Sequence, residues 1–171
     1  MRGKAALATL AAIALLCGCR PGAAKFAYKP LPPAGWDAAE SVTFPVDSVP
    51  ADGFYVLTVG LQTSAARPYP YRSVTLRVST RIPDTAQERT KELALPLADT
   101  WGDTGGSGTT LFQYEQTADT LQLRGGQRGT IRIAHAMRDR LLTGITDIGI
   151  RLERLGTEQR KATSNSTHTW N

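Results

Sequence analysis

The sequence predicts an all-β protein: an antiparallel two-sheet β-sandwich, jelly-roll or immunoglobulin-like, with one short helix near residues 136–142. Three observations carry that prediction. Apolar residues recur with a period of two, which puts one face of a strand in a core and the other in water. Turn chemistry interrupts these runs at roughly 10-residue spacing, as a sandwich requires. No helical run lies between successive strands, which disfavours a parallel α/β fold.

Taken in order, Val42, Phe44 and Val46 form the first alternating run. Residues 53–62 (GFYVLTVGLQ) are apolar on both faces, as in a central strand. Ser73 to Arg81 sets Val74, Leu76 and Val78 against Thr75, Arg77 and Ser79. Further runs are Leu93, Leu95 and Leu97, then Phe112 and Tyr114, then Leu121 and Leu123, then Ile131 and Ile133. Ile148, Ile150 and Leu152 mark the last. Between them stand Pro50 to Gly53, Pro83-Asp84, Asp103 to Gly108, Gly125-Gly126 and Gly144, all turn formers. His135 to Leu142 (HAMRDRLL) has no period of two and reads as a helical turn or two, capped by Gly144.

The N-terminus reads as an address. Arg2 and Lys4 precede an uncharged run, residues 5–16, that is shorter than the roughly 20 apolar residues of a spanning helix and has the length of a signal-peptide core. Leu16-Cys17-Gly18-Cys19 then resembles a lipobox, with a small residue directly before Cys19. The expected processed protein begins at Cys19, whose sulfur takes a diacylglycerol and whose freed amine takes a further acyl chain; multiple chains anchor stably where one does not. The domain reading is a lipoprotein signal peptide over 1–18, a lipidated Pro/Gly/Ala-rich tether over 19–36, a sandwich over 37–157 and a polar tail over 158–171. Arg20, where an Asp retains many lipoproteins in the inner membrane, favours the periplasmic leaflet of the outer membrane.

Composition narrows the chemistry. Loss of residues 1–18 removes Arg2 and Lys4 and leaves 18 basic against 15 acidic side chains, too even a balance to argue for nucleic acid. The only cysteines are Cys17 and Cys19, so a disulfide framework and a Cys-based zinc site are excluded. The histidines are His135 and His168, the latter in the polar tail. Gly105-Gly106-Ser107-Gly108 lacks the spacing of a nucleophile elbow, and no phosphate loop ends in Gly-Lys-Ser/Thr. Asp99 and Asp103 with loop carbonyls do not match the spacing of an EF-hand calcium loop. The expectation is a protein with no enzymatic activity, no cofactor, no metal and no catalytic residues.

One ordered set of features goes further. Tyr28 and a Pro-rich stretch lead to Trp36 and Phe44; Tyr69-Pro70-Tyr71 precedes the strand of Val74; Leu97 to Gly102 (LADTWG) precedes a glycine-rich loop. Met137-Arg138 is followed by Leu141 and by Gly144 to Ile150 (GITDIGI). From Cys19 to about Leu155 this resembles the gliding motility lipoprotein GldH family. The resemblance implies a lipid-anchored envelope protein linked to surface gliding and to the secretion machinery that delivers its adhesins. It implies no catalytic residues. The glycine-heavy loop Gly102 to Thr110 departs from the family pattern.

The expected role is therefore a scaffold or accessory component with envelope partners. The alternative is a periplasmic glycan-binding module. Tyr69, Tyr71 and Trp101 are the aromatic candidates for a binding face, since aromatics with a polar tip suit interfaces and sugar rings. Arg138 and Asp147 complete the candidate partner surface, either as a docking patch or as a bidentate ion pair pinning the short helix to the sheet. Finally, Asp47-Ser48-Val49, Asp84-Thr85-Ala86 and Asp119-Thr120-Leu121 match an Asp-Ser/Thr-aliphatic O-glycosylation pattern, which makes Ser48, Thr85 and Thr120 candidate sites. Ordinary turn-forming Asp-Ser/Thr pairs are the plainer account of them.

Overall fold

The computed structural model describes residues 23–82, 88–98, 106, 108 and 110–156. Among them lie ten strands and no helix. They are β1 (Ala23–Pro30), β2 (Trp36–Asp37), β3 (Val42–Val46), β4 (Gly53–Ser64) and β5 (Ser73–Arg81), followed by β6 (Arg89–Pro96), β7 (Leu111–Leu123), β8 (Gly129–His135), β9 (Leu141–Leu142) and β10 (Ile145–Arg154).

Two four-stranded antiparallel sheets, ordered β1-β10-β4-β7 and β3-β8-β5-β6, contribute to one hydrophobic core. A two-stranded ribbon, β2-β9, is the third sheet. Leaving out that ribbon, the chain changes sheet at every step except β5 to β6. Of the two wrappings the sequence left open, this strand order is that of a jelly roll. Alternation does the packing: Leu57, Val59 and Leu61 from β4 and Val74 and Leu76 from β5 are all at 0% exposure, while Thr58 and Thr75 between them are on the opposite, partly exposed faces.

Phe112 with Tyr114 and Leu121 with Leu123 belong to one strand, not two. Leu57 faces Asp119 while the next residue, Thr58, faces Thr117, so Ala118 is an extra residue in β7. Such a bulge shifts the phase by one. Even-numbered Tyr114 and odd-numbered Leu121 and Leu123 therefore all reach the core. The sequence shows the two phases but not the ladder that joins them.

Two expectations are corrected. Residues 136–142 form no helix. The ladder continues through the Ala136 N–H, which donates to the Thr75 carbonyl at 2.8 Å, and Leu141-Leu142 pairs with Trp36-Asp37. A run this short is a marginal helix in water, and strand partners on both sides satisfy its backbone instead. Gly144 does keep a positive φ of 90°. Its role is close approach: a Cβ there would lie 2.7 Å from the Tyr69 Cα.

The second correction concerns the tether. Ala23–Pro30 is a full edge strand paired along β10, from Ala23 opposite Glu153 to Pro30 opposite Asp147. Tyr28 explains why a Pro/Gly/Ala-rich stretch is held in this way. Gly149 of β10 and Gly60 of β4 stand side by side on the outer face of the sheet, with Tyr28 opposite Gly149. The Tyr28 ring lies across both glycines; a Cβ on Gly149 would meet its Cγ at 2.6 Å. The phenol is capped by Gln113 Nε2 at 3.2 Å. Burial, and then the Glu115 carboxylate, push the Tyr28 hydroxyl pKa upward.

Candidate functional site: the loop end of the sandwich

Antiparallel pairing sorts the connections to two ends. Pro30, Ser64, Leu111 and Ile145 lie at one end of their sheet. Val42, Ser73, Pro96 and His135 lie at one end of the other. The connections 31–41, 65–72, 136–144 and the one between β6 and β7 join these two sets. We call this the distal end. The opposite, proximal end carries Ala23, the turns 47–52 and 124–128, and the β5–β6 connection.

At the distal end, Trp36 is the anchor. Its side chain is 1% exposed, and its indole packs edge-on against His135 with centroids 5.3 Å apart. The indole N–H donates to the Glu40 carbonyl at 3.1 Å. His135 is itself buried, with Nε2 at 2.9 Å from the Trp36 carbonyl oxygen. A carbonyl only accepts, so Nε2 carries the proton and Nδ1 is left without a partner among the described residues. The Leu31 N–H donates to the Thr146 carbonyl and the Ala38 N–H to the Arg140 carbonyl, each at 2.8 Å. The Arg67 guanidinium reaches the Pro33 carbonyl at 2.6 Å. Connections far apart in sequence are thus tied into one surface.

On that surface Tyr69 and Tyr71 pack edge-on, with centroids 5.6 Å apart. Tyr69 is half-buried and donates to the Ser73 carbonyl at 3.2 Å; burial raises its pKa well above the ordinary phenol value. Tyr71 is exposed and donates to Asp139 Oδ2, and that hydrogen bond raises its own pKa. Asp37 accepts from the Ala39 N–H and pairs with Arg140 at 3.2 Å; the N–H first, then the cation, lower its pKa. A cleft of about 220 Å³ opens beside Pro32, Arg67 and Gly144. That is below the several hundred cubic ångströms of a typical small-molecule site.

The residues singled out from the sequence disperse in part. Tyr69, Tyr71 and Arg138 meet at the distal end. Asp147 also lies near that end, but on the outer face of β10 beside Gln62 and opposite Pro30. Arg138 is exposed in the bend after β8, and no ion pair joins it to Asp147 among the described residues. Trp101, Thr85 and Cys19 lie outside the described residues. Ser48 is exposed in a proximal turn. Thr120 is exposed on β7, and Asp119 beside it accepts from both Lys91 Nζ and the Thr120 N–H. The sequence reading missed Asp139, the partner of Tyr71, because no spacing rule links positions 68 residues apart.

The geometry bears on two chemistries. Only Tyr71 of the two tyrosines offers an exposed ring, so the pair is not a flat stacking platform for sugars. His135 is 2% exposed and bound to a backbone carbonyl inside the core.

Fold and surface together define a class: an all-β antiparallel sandwich with the connections 31–41, 65–72 and 136–144 tied to one another by hydrogen bonds at one end. A family model described as GldH lipoprotein matches residues 24–152, most of the chain. The chain belongs to the GldH lipoprotein family. That is a family of lipid-anchored envelope proteins, and it is not a known enzyme family. No curated protein matches the chain. Among solved structures, the Eiger TNF of S. frugiperda is similar at 17% identity and a TM-score of 0.33, over 63% of this chain and 62% of that one. A structure of the infectious bursal disease virus Gx strain is similar at 14% identity and a TM-score of 0.20, over 82% of this chain and 42% of that one. The chain thus spans less than two thirds of either structure, and neither likeness bears on function.

Proposed function

We propose that this protein is a non-enzymatic scaffold or accessory component of a gliding or secretion assembly. In this reading Cys19 carries the lipid, in the periplasmic leaflet of the outer membrane, and the distal end is the face offered to other envelope proteins. One observation carries the docking face. Connections spread across the sequence are locked by buried Trp36 and His135 and by cross-loop hydrogen bonds, and they present Tyr71, Arg72 and Arg138 to solvent. A prefixed surface loses little conformational freedom on binding. Tyrosine and arginine are the residue types enriched where protein interfaces carry their energy.

The test is a crosslinked pull-down of the native lipoprotein from membranes, read by mass spectrometry. Cys19→Ala and the double variant Tyr71→Ala/Arg138→Ala serve as comparisons. Capture of motility or secretion lipoproteins, lost in both variants while the double variant stays folded and membrane-bound, supports the proposal. Undiminished capture by the folded double variant would remove the distal end from the interface.

A further inference from the structure

The route of β1 fixes how this domain meets its membrane. This inference rests on the reading of Cys19 as the lipidated residue. Cys19 precedes Ala23, the first residue of β1, by four positions. At no more than ~3.6 Å per residue, the lipid attachment point lies within about 15 Å of the start of the strand. Ala23 is paired at the proximal end, opposite Glu153. The proximal end is therefore held at the headgroup layer. The 12-residue strand β4 spans the sandwich, so the distal face lies about 40 Å from the proximal end and, in an upright domain, that much further from the membrane.

The charges at the proximal end fit that position. Arg81 and Arg89 flank the β5–β6 connection, and Arg124 and Arg128 flank the turn between β7 and β8. All four are exposed, and none makes an ion pair among the described residues. The carboxylates of the same end are mostly engaged. Asp47 faces Lys25 at 3.6 Å, Asp52 accepts from the Gly125 N–H at 2.7 Å, and Glu153 lies 3.8 Å from Arg151. Glu88 is the exposed acid without such a partner among the described residues.

Hydrogen bonds tie the turns of this surface together. The Val49 N–H donates to the Gln127 carbonyl at 2.9 Å, and the Gly126 N–H donates back to the Val49 carbonyl at 2.7 Å. Arg154 reaches the Asp52 carbonyl at 2.6 Å. Near its edge, Phe26 on β1 is 62% exposed, an apolar ring placed to meet the interface.

We infer that the proximal end is a second binding surface, in which Arg81, Arg89, Arg124 and Arg128 engage the phosphates of anionic lipids in the membrane that holds the anchor. The lipid chains supply attachment. The arginines supply orientation, standing the sandwich upright and directing Tyr71 and Arg138 away from the bilayer. Basic side chains within a Debye length of an anionic surface are attracted to it, and salt screens that attraction.

The test uses the full lipidated chain in vesicles that carry an energy-transfer acceptor on the lipid headgroup. A donor dye is placed at Ser48→Cys for the proximal end or at Ala66→Cys for the distal end. Vesicles contain phosphatidylethanolamine with or without about 30 mol % phosphatidylglycerol. The expected result is stronger transfer from Ser48 than from Ala66, with a contrast that grows with phosphatidylglycerol and shrinks in about 0.5 M salt. Charge reversal in R81E/R124E/R128E abolishes the gain from phosphatidylglycerol, and R81K/R124K/R128K keeps it. Each arginine lost lowers the upright-to-tilted ratio about fivefold. A thermal melt followed by circular dichroism confirms that the variants are folded.

A contrast indifferent to lipid charge in the folded chain overturns the inference and leaves the anchor intact. So does a folded charge-reversed variant that behaves like the wild type. Failure of the wild-type chain to stay on vesicles, with Cys19→Ala no different, overturns the anchor reading and this inference with it.

Discussion

At the distal end of the sandwich, long connections carry Trp36 and Leu142 inward beside His135 at the end of β8, and the end is continuous with the core. At the proximal end, short turns carry the chain from one sheet to the other or, between β5 and β6, join neighbouring strands, and only Val49 of the described turn residues is deeply buried. The same two sheets thus end in two kinds of surface. One is specified by packing over long sequence separations. The other is built from short turns tied by a few hydrogen bonds, such as Val49 with Gln127 and Asp52 with Gly125, with its four arginines exposed. The difference teaches where this protein tolerates change. The distal end couples stability to any surface it presents, whereas the proximal end can vary its charge with little effect on the fold.

The sharpest way to break this comparison is Trp36→Ala. Removing a fully buried indole that packs on His135 should cost about 3–5 kcal/mol, read as a shift in a urea denaturation midpoint. A loss below about 1 kcal/mol would mean that the distal connections are not part of the core.

A matched pair of glycines gives the next largest effect. Gly144 at the distal end has φ 90° and Gly126 at the proximal end has φ 80°, so both favour glycine. A Cβ at Gly144 would also meet the Tyr69 backbone N at 2.9 Å, whereas nothing lies within 4 Å at Gly126. Gly126→Ala should cost about 1 kcal/mol, the conformational part alone, and Gly144→Ala about 2–4 kcal/mol, since backbone must move as well. Equal losses would erase the distinction between the ends.

The smallest effect is a pH dependence. The Tyr69 pKa is raised on folding, so the folded state binds its proton more tightly than the unfolded state. That contribution is complete below the unfolded tyrosine value of about 10 and is lost as pH rises through the folded value. Tyr69→Phe should therefore be less stable than the wild type near about pH 8, and the gap should narrow as pH rises beyond about 10. A constant gap across that range in parallel melts would show that the phenol is not desolvated.

Much of the fold was legible because a strand writes its burial into its own sequence. Val74, Leu76 and Val78 alternate with Thr75, Arg77 and Ser79, and no distant residue is needed to read which face is inside. Where the period breaks, the reading failed for definite reasons. Ala118 shifts the phase of β7, so one strand resembled two. Residues 136–142 have no period because only Leu141-Leu142 is strand there, and the groups that hold the segment, Thr75, Trp36 and Asp37, are far away in sequence.

The candidate site shows the same division. Tyr69, Tyr71 and Arg138 were visible as residue types, but Asp139, which engages Tyr71, was not. Arg138 and Asp147, close in sequence, are not paired, because one leaves the end of β8 while the other lies on the outer face of β10. By itself the sequence determined the β class and the inward set of most strands, and it carries the expectation of a lipid anchor at Cys19, since each depends on residues within a few positions of one another. Only the tertiary structure decided the jelly-roll order, the capture of Ala23–Pro30 as an edge strand and the gathering of four connections at one end. Those depend on which strands pair, and pairing is settled by the total burial of two sheets against each other, which no local window contains.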